Sequence, residues 1–251
     1  GKVYTYMPAF NSQQATALLN KIEGLDWESI RAQMHMQGYS ILKDFLSDEL
    51  CELIKSHYNH QQLYRKTVTM QQHRFGYGEY KYFNYPLPNL LQQLRTQFYP
   101  YLVPIANAWS DALKLDRQYP DSHLEFLQQC QQVGQNKATV LILHYQQDGF
   151  NTLHQDLYGE VYFPIQMVFV LSQANSDFTG GELVLTEQVP RAQSKAIVLQ
   201  PDQGDVLIFT TQFRPKKSTH GYYRVNMKHA VSQVRTGERY TLGIIFHDAV
   251  S

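Results

Sequence analysis

The sequence predicts a mainly β protein with helices, a jelly roll carried on an amino-terminal helical layer, and three observations predict it. After Gly134 come seven β-compatible runs: Ala138 to Tyr145, Val161 to Ser172, Glu182 to Glu187, Ala196 to Gln200, Asp205 to Thr211, Arg224 to Val234 and Arg239 to His247. No helical pattern interrupts them, and short polar or glycine-bearing turns separate most of them, as an antiparallel sandwich requires. Before Gly134 the apolar residues fall mainly at helical spacing. The 251 residues, 43% hydrophobic and 18% charged, suffice for one core with a helical extension. One structural unit is therefore expected, with a helical region over 1–135 packed on a jelly-roll core over 136–251.

Within the first region, Gln13 to Ile54 reads as mainly helical. Ala17, Leu18, Leu19 and Ile22 share a stripe, and Ser47-Asp-Glu-Leu has the form of an N-cap with an acidic first turn. Gly38-Tyr-Ser-Ile-Leu is a short apolar run after a glycine and predicts an early strand. From Arg65 to Pro88, glycines, a proline and clustered aromatics argue for an irregular or hairpin segment. Helical spacing returns from Leu90 to about Val133.

The formal net charge is zero, so no global field draws the chain to nucleic acid or acidic lipid. Cys51 and Cys130 stand far apart outside any CxxC pattern, which suits a reducing compartment. Gly1 to Phe10 lacks a signal-peptide pattern, and Phe163 to Leu171 is too short to span a bilayer. A cytoplasmic protein without a membrane partner is the expectation; the oligomeric state is not legible.

The chemistry is concentrated in the strand-rich half. His154 and Asp156 are two residues apart, so an imidazole and a carboxylate can share one side of a strand end. Alone, the pair equally describes a surface histidine and a turn aspartate. A second imidazole from a later strand, His229, completes a 2-His-1-carboxylate set with open positions, the arrangement suited to iron(II) oxygenases. The open positions accept the two oxygens of a 2-oxo acid and then O2. His220 and His247 are the rival third ligands; no arginine follows His220 at the right distance, and His247 ends the last strand beside Asp248.

Arg239 lies ten residues after His229, across a tight turn at Arg235-Thr-Gly-Glu that forms a hairpin. Tyr240-Thr-Leu-Gly-Ile-Ile-Phe makes its strand look buried, and a buried arginine needs an anionic partner. 2-Oxoglutarate is a diacid whose far carboxylate suits a planar guanidinium fork. Tyr145, on the strand before His154, is the second candidate for that carboxylate through its hydroxyl; an ordinary core tyrosine fits as well.

The pattern His154-x-Asp156, then His229-x-Val-x-x-Val-x-x-Gly-x-Arg239-x-x-Leu, resembles the iron(II)/2-oxoglutarate dioxygenase superfamily, whose fold is a double-stranded β-helix. Phe75-Gly-Tyr-Gly-Glu-Tyr-Lys-Tyr-Phe, Leu153-His-Gln-Asp-Leu-Tyr-Gly-Glu, Phe178-Thr-Gly-Gly-Glu and Tyr223-Arg-Val-Asn look very like one bacterial family described as nucleic-acid oxygenases, related to the AlkB type. The resemblance implies iron(II), 2-oxoglutarate and O2, and oxidative demethylation of alkylated bases. The ten-residue step from His229 to Arg239 is closer to a prolyl-hydroxylase-like branch, and the AlkB Arg-x-Asn-x-x-x-x-Arg signature has no match here.

On the substrate side, Arg214, Lys216, Lys217, Arg224, Lys228 and Arg235 form an acid-free stretch that could guide a phosphodiester of single-stranded nucleic acid or a flipped nucleotide. Tyr77, Tyr80 and Tyr82 offer faces on which a flipped base could stack, in a segment, about 65–88, that serves as a substrate lid or as core. Hydroxylation of a protein side chain or a small molecule stays open, as does a non-catalytic binding module on the same fold.

Overall fold

A computed structural model describes residues 10–70 and 76–251. Along the chain run α1 (Ser12–Glu23), α2 (Trp27–Gln37), β1 (Tyr39–Leu42), α3 (Asp48–Ser56), β2 (Tyr64–Met70), β3 (Gly76–Phe83), α4 (Asn89–Ala112) and α5 (His123–Gln132). There follow β4 (Leu141–Tyr145), β5 (Phe150–His154), β6 (Ile165–Val170), β7 (Phe178–Gly180), β8 (Leu183–Gln188), β9 (Lys195–Leu199) and β10 (Val206–Thr210). The last strands are β11 (Phe213–Ser218), β12 (Gly221–Val231), β13 (Val234–Gly237) and β14 (Arg239–Ile244). Asn11 caps α1 in a capping box with Gln14, and Ser47 caps α3 as its sequence predicts.

All the paired strands are antiparallel. The sheet curls along the order β1-β10-β6-β14-β4-β3-β5-β12-β8-β9, with β2 beside β3, β11 beside β12, and β13 paired with β7. β3 makes the fold: its second half pairs with β4, while Gly76 and Tyr77 pair with β5, so one strand joins the two halves of the roll. The half containing β6, β10, β14 and β4 is buried on both faces. Ile142, Met167, Phe169, Ile208, Leu242 and Ile244 pack toward the helices. Alternate residues of the same strands, among them Tyr145, Leu207 and Phe209, face the interior of the roll. Double burial explains why these strands read as continuous apolar runs.

The helical layer and the roll are interleaved, since β1, β2 and β3 come from the first 135 residues. The segment 65–88 is a hairpin built into the sheet rather than a lid laid over it; its residues 71–75, including Phe75, lie outside the described ones. Phe150–His154 and Phe213–Ser218 also form strands, outside the seven runs that the sequence predicts. β11 carries Pro215 and two lysines, a composition tolerated at a sheet edge. Among the described residues no helix is long and apolar enough to cross a membrane.

Candidate metal and co-substrate site

His154 ends β5 and His229 lies on β12, and the two are directly opposed in the antiparallel ladder. Cross-strand neighbours present their side chains together, and the two rings are 4.2 Å apart between centroids. Just past β5, Asp156 turns back toward them: its Oδ2 is 2.9 Å from His229 Nε2 and its Oδ1 3.6 Å from His154 Nε2. One ligand atom from each of the three lies within 4.8 Å of the others. The Nδ1–H of His154 donates to the Thr152 carbonyl at 2.8 Å, which leaves Nε2 free to bind a metal. Burial lowers the His154 pKa, as does its neighbour His229, favouring the neutral imidazole that a metal requires. Burial works against the Asp156 carboxylate, but the pull of His229 and His154 and the Gln166 amide hold it well below the usual carboxylate range.

Two further contacts fix Asp156. Gln166 Nε2 on β6 donates to Oδ2 at 3.0 Å. His247 receives the Phe163 N–H at Nδ1 and therefore donates from Nε2 to the Asp156 carbonyl at 3.1 Å. Neither partner was evident from the sequence. A lone glutamine inside Ile165-Gln-Met-Val-Phe-Val was the available signal, because a polar side chain in a buried strand needs a reason. His247, a rival ligand by sequence, supports the backbone instead; His220 sits exposed at the β11–β12 turn.

These groups open on a cavity of about 320 Å³, lined also by Tyr80, Tyr82, Tyr145, Tyr158 and Arg239. Arg239 is 2% exposed, its Nη1 has no hydrogen-bond partner, and among the described residues no carboxylate lies within ion-pair distance. Burial lowers its pKa to about 10, so it stays charged at neutral pH. Directly across the ladder, the Tyr145 hydroxyl is likewise buried without a partner. A buried cation beside an orphaned hydroxyl fits a carboxylate that enters as ligand.

Two glycines make room for this pair. A Cβ on Gly181 would lie 2.9 Å from Arg239 Cδ, and its φ of +60° already disfavours a side chain. A Cβ on Gly78 would meet the Tyr145 ring at 2.4 Å. The expected β12–β14 hairpin is corrected: β13 pairs with β7 in between, and the chain crosses over, so His229 and Arg239 stand on different halves of the roll and converge across its interior.

The substrate-side expectations divide. Tyr80 and Tyr82 face the cavity, whereas Tyr77 lies outside it, near Tyr58 and His144. Arg214 is buried, its charge matched by Glu187 at 2.5 Å, and is not offered to a substrate. Arg224 alternates with the inward Val225 and Met227, points out of the roll, and lines a separate cleft with Arg117 and Trp109. The alternation of a strand separates these arginines from the metal cluster even though their sequence numbers are close.

A family model described as "Oxygenase, catalysing oxidative methylation of damaged DNA" matches residues 78–249. Uncharacterised proteins from two strains of Mycobacterium tuberculosis are 44% identical over 164 residues, covering 65% of this chain and 70% of theirs. The fold is similar to that of a Trichoplax adhaerens prolyl hydroxylase solved with a hypoxia inducible factor peptide (TM-score 0.57, 14% identity, 95% of this chain and 94% of that one). It is also similar to a Burkholderia pseudomallei oxidoreductase of the 2OG-Fe(II) oxygenase family (0.54, 17%, 90% and 93%). A Pseudomonas putida prolyl-4-hydroxylase gives a TM-score of 0.52 at 12% identity, covering 89% of this chain and 98% of its own.

Proposed function

This chain belongs to the family of oxygenases described as catalysing oxidative methylation of damaged DNA, and from that premise we propose that it strips alkyl groups from nucleic-acid bases by oxidising the carbon bonded to the base. It is an iron(II)- and 2-oxoglutarate-dependent dioxygenase. Bound together, iron(II) and 2-oxoglutarate supply oxidation of a C–H bond by one atom of O2, while the other atom goes into succinate as CO2 is lost. His154, Asp156 and His229 hold the metal, and Arg239 with Tyr145 takes the far carboxylate of the co-substrate.

The observation that carries the reading is one cavity with two unlike ends. The ladder sets Arg239 opposite Tyr145, Thr241 opposite Leu143 and Gly243 opposite Leu141, with Tyr80 and Tyr82 level with the last two pairs. The diacid therefore occupies the Arg239 end, and the tyrosine-lined end is left for the group to be oxidised. Flat, apolar walls with hydroxyl edges suit an unstacked base. Exposed Lys216, Lys217, Arg224 and Lys228 on β11 and β12 lie outside the cavity and can meet backbone phosphates only at a distance from it.

Succinate formation tests the reading, measured with methylated single-stranded DNA or RNA, the unmethylated strands and a peptide pool, at two salt concentrations. Methylated strands should stimulate turnover, and their binding should fall by about one log unit per log unit of salt for each phosphate neutralised. Alanine at His154, Asp156 or His229 should abolish both stoichiometric metal binding and the stimulation. Stimulation by peptides but not by methylated strands would replace the base by a protein side chain.

A further inference from the structure

Beyond the triad and the co-substrate anchor, the cavity holds one group whose chemistry is incomplete. Gln166 is 3% exposed and lines the cavity on β6. Its amide orientation is settled by its partner: Asp156 is an acceptor-only carboxylate, so the nitrogen must face Oδ2, at 3.0 Å, and the carbonyl must face away. That carbonyl oxygen, Oε1, is buried and has no hydrogen-bond partner.

The nearby donors are already used. Tyr158 directs its hydroxyl to Asp156 Oδ1 at 3.4 Å, and Tyr82 and Tyr158 share a hydroxyl–hydroxyl bond of 2.7 Å, in which Tyr82 is then the donor. The adjoining lining residues Val168, Leu141 and Ile245 offer no polar side chain. Register places Gln166 at the end of the cavity away from Arg239. Thr241 pairs with Val170, Gly243 with Val168 and Ile244 with Met167, so Ile245 and Gln166 share the next level. The step from Arg239 to Ile245 is about 20 Å at a strand rise of about 3.4 Å per residue. The co-substrate's charged tail and the Gln166 carbonyl therefore sit at opposite ends, with Asp156 beside the latter.

We propose that Gln166 is a specificity-determining residue: its side-chain carbonyl accepts a hydrogen bond from an N–H donor that the primary substrate carries next to the carbon being oxidised. This deepens the reading of the site as one for alkylated bases and rests on it. The donor class is a ring nitrogen's alkyl group flanked by an exocyclic amine. A base with a carbonyl oxygen in that place would set two acceptors against each other in a buried site, which discriminates strongly because neither can turn to water.

Two single-stranded oligodeoxynucleotides compare the two groups at C4. One carries a single 3-methylcytosine, a cation at neutral pH whose C4 bears an amine; the other carries a single neutral 3-methyluracil, whose C4 bears an oxygen. Only the part of the preference that Gln166 controls is therefore assigned to the hydrogen bond. Binding is measured by fluorescence anisotropy on the anaerobic iron–2-oxoglutarate enzyme, and succinate release in parallel. The wild-type protein should favour 3-methylcytosine by about ten- to a hundredfold in both readouts. Gln166→Leu, assayed at saturating metal, should remove about tenfold of that ratio, read as the preference between the two strands and not as the absolute rate, because losing the contact to Asp156 affects both strands alike. A wild-type ratio near one, or a ratio that survives Gln166→Leu, overturns the assignment and leaves the alkylated-base reading standing. Failure of both strands to bind or to stimulate succinate release removes that reading itself, and this proposal with it. The wild-type comparison needs no variant to fold.

Discussion

Two of the buried arginines, Arg95 and Arg239, are finished to different degrees. Arg95, on α4, spends its donors inside the fold: Nε on the Ile245 carbonyl at 3.0 Å, Nη1 on the Tyr85 hydroxyl at 2.6 Å and Nη2 on Asp248 Oδ1 at 2.8 Å. Tyr85 in turn donates to the same carboxylate at 2.8 Å. Burial lowers the Arg95 pKa, but Tyr85 and Asp248 raise it by more. Arg239 has the burial without the partners: an orphaned Nη1, no carboxylate at ion-pair distance among the described residues, and a pKa lowered to about 10. The first is a structural clasp between the helical layer and the segment that follows β14; the second is an incomplete pair, which the proposed function completes with the co-substrate's far carboxylate. A buried charge reveals its role through what it lacks.

The two also communicate through the backbone they share. Ile245, His247 and Asp248 all accept from Arg95, and His247 from that stretch donates to the Asp156 carbonyl. The clasp on the helical side thus holds the segment that supports the metal ligand.

The sharpest break of the comparison is a matched pair of substitutions. Arg95→Met leaves the buried Asp248 without its counter-charge and should cost about 3–5 kcal/mol in denaturant unfolding. Arg239→Met removes a charge that has no internal partner and should leave the metal-free protein as stable as wild type or more so, while abolishing 2-oxoglutarate binding. Equal destabilisation by the two would mean that Arg239 is paired within the protein after all. A smaller effect is expected from Arg239→Lys, which keeps charge and loses the fork: the apparent 2-oxoglutarate constant should rise about ten- to a hundredfold with metal binding intact. Titration of 2-oxoglutarate into the anaerobic iron complex measures it, and an unchanged constant would move the anchor elsewhere. The finest adjustment is Gly181→Ala, which pushes a methyl against Arg239 Cδ and strains a backbone at φ +60°. About 1–2 kcal/mol of stability should be lost, with 2-oxoglutarate weakened by severalfold and metal stoichiometry unchanged. A variant that loses stability but keeps full affinity would show that the glycine serves only the turn.

Much of the site was legible because its chemistry is local or strictly periodic. His154 and Asp156 are two residues apart, and a strand end necessarily brings such a pair together. The glycines in Phe75-Gly-Tyr-Gly-Glu and Phe178-Thr-Gly-Gly-Glu stood out as motif residues, although only the packing of Tyr145 and Arg239 against Gly78 and Gly181 explains them. The basic stretch from Arg214 to Arg235 misled: its charges are contiguous in sequence, but alternation and the Glu187 pairing distribute them between a buried ion pair and the outer surface.

By itself, the sequence determined the jelly roll, the helical layer and the identity of the metal-ligating types, because hydrophobic period, turn residues and donor chemistry are properties of short segments. Only the tertiary structure decided which chain neighbours become neighbours in space. The sheet order put β5 beside β12, so that His154 faces His229. It carried β14 across the roll, so that Arg239 enters from the opposite wall. It also set Gln166 against Asp156, leaving one amide oxygen without a donor. Strand pairing acts between residues far apart in the chain, and the free energy that selects one pairing over another is spread over the whole core, where no local pattern records it.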